Sequence, residues 1–109
     1  MANYTAKFDN YRIFYYTGPD INPLINCYDD TKSVGQIRFY EKSAAMPPNT
    51  VIESGQGRIL KLHYRLEQFQ DVIEVMRYEK PLHLWLETIN SQGGVCTSEY
   101  EPVGEEESS

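Results

Sequence analysis

A chain of 109 residues is long enough for one hydrophobic core and short for two. Its 40% hydrophobic and 13% aromatic content is that of a globular domain and excludes a disordered polymer. The net charge of −6 is gathered at the end: residues 101–109 carry Glu101, Glu105, Glu106 and Glu107 without a base, leaving 12 acids against 10 bases before them.

Those ten bases stand singly between Lys7 and Lys80. Duplex nucleic acid and anionic membrane both select a concentrated basic surface, so neither is expected as a partner. Met1 to Thr5 lacks a basic segment followed by an apolar one, which argues against a signal peptide. Apolar runs such as Ile13-Phe14-Tyr15-Tyr16 are far shorter than the ~20 residues that span a bilayer. A cytoplasmic location follows as the expectation, and with it two free thiols at Cys27 and Cys96 rather than a disulfide.

In chain order the dominant period is two, the signature of strands. Tyr4 to Phe8 and Tyr11 to Thr17 alternate about Asp9-Asn10, which predicts a first hairpin because both turn residues tolerate positive φ. Gly18-Pro19-Asp20 is a turn. Leu24 to Tyr28 and Val34 to Glu41, joined by the polar turn Asp29 to Ser33, predict a second hairpin. The loop through 42–49 ends in Met46-Pro47-Pro48-Asn49, where two prolines exclude a ladder. Thr50 to Glu53 and Arg58 to Tyr64 flank the glycine-bearing turn Ser54-Gly55-Gln56-Gly57, a third hairpin.

Then the period changes. Leu66, Phe69, Val72, Ile73 and Met76 define one apolar face of a helix over 66–79, with Glu67, Gln70, Asp71, Glu74 and Arg77 opposite and Pro81 beyond its end. Leu82 to Ile89 and Val95 to Tyr100 close the chain as a last hairpin about Asn90 to Gly94. The pattern implies an α+β domain over residues 1–101. Its antiparallel sheet, of about seven to eight strands in successive hairpins, is strongly curved, and one amphipathic helix packs on one face. Residues 102–109 form an acidic tail expected to be disordered.

Chemistry-bearing motifs are absent: the chain holds no glycine-rich phosphate loop, no CxxC, no HExxH and no GxSxG. No cofactor and no metal site are expected. His63, His83 and Glu87 are the candidates for a catalytic role, since alternation places both histidines on the strand face away from the leucines, with Lys61, Trp85 and Glu87. The aromatic residues Tyr11, Tyr15, Tyr16 and Trp85 are candidates for an interface or a ligand, because Tyr and Trp bury large area while keeping a polar tip. Tyr78-Glu79-Lys80-Pro81 and Glu101 to Glu105 have the look of motifs without a mechanism.

Three functions compete on these grounds. The first is a non-enzymatic interaction module acting as a homodimer, or docking an unidentified protein, through an aromatic sheet face. The second is a binder of a small apolar ligand, with an aromatic pocket in a curved sheet. The third is an enzyme built on a His/Glu pair. A large exposed patch, an enclosed concavity and a histidine in reach of a carboxylate, respectively, distinguish them.

Overall fold

Alternating apolar and polar side chains become strands, and in this chain the strands divide between two sheets. The computed structural model describes residues 3–15, 22–55 and 57–98. The strands are β1 (Asn3–Phe8), β2 (Asn10–Phe14), β3 (Leu24–Asp29), β4 (Lys32–Tyr40), β5 (Thr50–Ser54), β6 (Gly57–Arg65), β7 (Leu82–Glu87) and β8 (Gln92–Thr97). A 3-10 turn over Leu66–Gln68 leads into the helix α1 (Phe69–Tyr78). One sheet has the order β1-β7-β8 and the other β2-β3-β4-β6-β5.

The α+β class stands, with strand dominating and one short helix. The single strongly curved sheet does not: the strands form two separate sheets. The first hairpin is the source of the difference. Phe8 pairs with Leu82 while Asn10 pairs with Tyr28, so the chain passes from one sheet to the other at Asp9 instead of turning back. The Asp9 amide donates to the Tyr28 carbonyl at 3.0 Å, which pins the crossing residue to the second sheet.

β3 and β4 pair antiparallel through the expected polar turn, where Asp30 takes φ 60°, a conformation Asp tolerates better than most residues. β5 and β6 form the expected hairpin, but β6 inserts between β5 and β4 and runs parallel to β4. The loop through 41–49 makes that arrangement possible by carrying the chain past the strand position that β6 then fills. β7 and β8 pair as expected.

The core lies between the two sheets. From the larger come Ile25, Cys27, Ile37, Phe39, Leu60 and Leu62; from the smaller come Phe8, Leu82, Leu84 and Leu86. Each fully buried Leu, Ile or Phe contributes about 1.5–3 kcal/mol relative to exposure. The sheets come into close contact at Gly35, where a Cβ would stand 2.0 Å from Cδ1 of Leu84. Only a residue without a side chain leaves room there.

α1 runs beside β8 and adds Val72, Ile73 and Met76 to the same core. The Gln68 side chain accepts from the Arg65 amide at 3.0 Å, capping the 3-10 turn that precedes the helix. Asp71 in the first turn of α1 and Arg77 in its last suit the helix dipole. Phe69 is only partly buried and stands edge-on to Phe39 at 4.8 Å and to Tyr15 at 5.2 Å between ring centroids. Among the described residues no helix is long and apolar enough to cross a membrane. The acidic segment 102–109 lies outside the described residues, as do Gly18-Pro19-Asp20 and Tyr16.

Candidate functional site

Two faces separate the candidate catalytic residues. His63 points outward from β6, since Leu60 and Leu62 of that strand point inward, and His83 points outward from β7, since Leu82, Leu84 and Leu86 point inward. Because the inner faces of the two sheets meet at the core, the two histidines stand on opposite sides of the sandwich. The patch that would unite them needs β6 and β7 in one sheet, and they are in different ones.

Each histidine has its own partner. Nδ1 of His63 lies 3.0 Å from the Tyr40 hydroxyl, and its backbone amide donates to Oδ1 of Asn49 at 2.7 Å. Partial burial, with Arg38 and Lys61 close by, holds the His63 pKa below its ordinary value, so the ring is neutral at pH 7. Nδ1 of His83 lies 3.0 Å from Oγ of Ser98. Glu87 is buried, and its carboxylate accepts from the backbone amides of Ile89 and Asn90 and from the Asn90 side chain. That carboxylate closes the β7–β8 turn, where Ser91 takes φ 54°. No group of three or more His, Cys, Asp or Glu side chains among the described residues is placed to hold a metal ion.

The aromatic candidates are also distributed. Trp85 lies on the outer face of the smaller sheet, paired with Gly94 and Thr5, and is half-buried. Tyr15 follows β2 and is 64% exposed apart from its edge contact with Phe69. Tyr11 pairs with Cys27 and packs against the margin of the core.

A concavity with the dimensions of a binding site lies among the described residues. It is an open cleft of about 820 Å³, within the roughly 300–1,000 Å³ typical of ligand pockets. The cleft arises where the sheets part company. β1 ends at Phe8, Asp9 crosses to the larger sheet, and on the other side α1 stops at Tyr78. The chain then turns through Glu79, Lys80 and the cis peptide before Pro81 into β7. Buried Phe8, Met76 and Leu82 make an apolar floor, Tyr11 and Tyr78 supply aromatic walls, and the rim alternates in charge.

The rim is anchored on both sides. Oδ1 of Asp9 accepts from the Asp30 amide at 3.0 Å and from the Asn10 side chain, and these donors hold its pKa below the ordinary carboxylate value. The Asn10 amide also donates to the Asp30 carbonyl at 3.0 Å. Opposite, the Ser98 amide donates to the Pro81 carbonyl at 2.8 Å, tying the cleft margin to the end of β8. Tyr78 is 65% exposed, with the Arg77 guanidinium over its ring at 6.0 Å.

Sequence reasoning singled out Tyr11 and the Tyr78–Pro81 stretch, but nothing in the linear pattern joined them. Met76 and Leu82 read only as apolar faces of their elements, and Phe8 only as the end of a strand. Their shared position depends on the crossing at Asp9, which alternation does not encode. Compared with protein-family models, with curated proteins and with solved structures, the chain matches none.

Proposed function

We propose that this protein is a non-enzymatic binding module whose working site is the cleft between the β1–β2 crossing and the end of α1. The observation that carries this reading is an apolar floor of Phe8, Met76 and Leu82 set beneath two tyrosines and a charged rim. Such a site suits a small, mainly apolar or aromatic molecule with a polar end. The floor rewards burial at roughly 25 cal/mol per Å² of apolar area, while Lys7, Arg77 and Lys80 or Asp9 and Asp29 orient the charged end.

Anilinonaphthalene sulfonate, an aromatic anion that brightens in apolar surroundings, is a suitable probe. Saturable binding at one molecule per native chain, weakened by Tyr78→Ala with the fold intact, is the expected result. Absence of binding, or binding indifferent to Tyr78→Ala, refutes the cleft as the site.

A second reading, the homodimer, is favoured by β2. It is one of the two edge strands of the larger sheet, and exposed Ile13 and Tyr15 lie on or just beyond it. An edge strand with exposed apolar side chains is a template for pairing with a second copy. Sedimentation at rising concentration tests this: a dimer that Tyr15→Glu dissociates supports it, and a wild-type chain that stays monomeric removes it.

A further inference from the structure

Charge on this molecule is segregated in a way its sequence conceals. The register of the larger sheet sets Arg12, Asn26, Gln36, Lys61 and Thr50 in one row across all five strands. In the next row Arg38 stands beside His63. All of these point outward, because Ile25, Ile37, Leu60 and Leu62 of the same strands are buried in the core.

The row is bound together by its own polar groups. Nε2 of Gln36 donates to Oδ1 of Asn26 at 3.3 Å, and Nε of Arg38 donates to Oε1 of Gln36 at 3.2 Å. These strands carry two carboxylates, Asp29 and Glu53, and both stand at strand ends with inward alternation. Asp29 lines the cleft, and Glu53 lies 3.9 Å from Arg58. Among the described residues none of Arg12, Arg38 and Lys61 has a carboxylate in ion-pairing reach. A chain of net charge −6 thus presents one broad face that is cationic, with preformed amide hydrogen bonds and, among the described residues, no acid.

Clustering like charges without counter-charges costs free energy, and a partner that brings carboxylates to the face offsets it. Three strand spacings separate Arg12 from Lys61, about 14 Å, and an extended peptide covers about 13 Å in four residues. Three cations, Arg12, Arg38 and Lys61, match a short peptide with a few carboxylates, whereas a polynucleotide calls for a longer basic track. We propose that the outer face of the five-stranded sheet docks an acidic, extended peptide segment of a partner protein, with Arg12, Arg38 and Lys61 receiving its carboxylates and the Asn26–Gln36 pair its neutral polar groups.

Fluorescence anisotropy of the full chain with a labelled peptide of alternating Glu and Ser tests this, alongside an oligothymidylate of equal charge. The expected result is saturable peptide binding, tighter than that of the oligonucleotide and weakened about tenfold or more by raising salt well above physiological strength. Lys61→Gln and Arg38→Gln should each weaken it several-fold, and Arg12→Gln, at the exposed edge, supplies a variant that leaves the packed strands alone. Lys80→Gln, on the cleft, should have no effect. Tighter binding of the oligonucleotide makes the face a nucleic-acid surface and overturns the proposal. So does salt-sensitive self-association without peptide binding, which makes the occupant a second copy. Equal weakening by Lys80→Gln shows binding to net charge rather than to this face, and the absence of binding removes it.

Discussion

Gly35→Ala is the sharpest test of the two-sheet packing. The added Cβ would lie 2.0 Å from Cδ1 of Leu84, against the 3.4–4 Å of ordinary contact, so that methyl must move by about 1.5 Å. Leu84 is fully buried, and the Leu60 carbonyl at 3.3 Å limits retreat of the new methyl on its other side. Overpacking of this kind costs typically about 1–3 kcal/mol. Against it stands the gain of about 0.5–1 kcal/mol from replacing glycine inside a strand. The clash wins, with a net loss of about 1–2 kcal/mol and a fall in melting temperature of roughly 5–15 °C for a domain of this size. Urea and thermal denaturation both report it. Leu84→Val costs about 1 kcal/mol alone by loss of a buried methyl(ene), but it vacates the contested space, so the double variant should be more stable than the sum of the singles by about 1 kcal/mol. Strict additivity, or a Gly35→Ala variant as stable as the parent, refutes the contact between the sheets.

Phe69→Ala should cost about 3 kcal/mol, the low end of the range for a core aromatic because Phe69 is only partly buried. Two edge-on contacts are lost with it, and a loss under about 1 kcal/mol in chemical denaturation would place it at the surface. Burial pushes the Cys27 thiol up to about 12, so in the native protein a thiol reagent should label half-buried Cys96 and leave Cys27 until unfolding; equal rates refute this. The folded His63 resists protonation while the unfolded side chain takes up a proton near 6.5. Its contribution to stability is therefore complete above that pH and is lost as pH falls from about 6.5 through the lower folded value. An NMR titration should show the depressed pKa rising in Lys61→Gln, and no change on removing that cation is the contrary result.

Much of this molecule was legible in its sequence. Period-two alternation located the strands, the change of period at Leu66 located the helix, and polar turns marked the β3–β4, β5–β6 and β7–β8 connections, because each of these is decided by neighbours a few residues apart. Which strands pair is decided by contacts distant in sequence. The Asp9-Asn10 step has the composition of a hairpin turn, yet burial of Phe8 against one sheet and pairing of Asn10 with the other make it a crossing. The same long-range choice placed β6 between β4 and β5, put His63 and His83 on opposite faces, and set Phe8, Met76 and Leu82 beneath one cleft. It also gathered Arg12, Arg38 and Lys61, solitary bases along the chain, on one face of one sheet. Alternation tells a side chain which side of its strand to take; only the packing of sheet on sheet decides which side faces water and what stands beside it there.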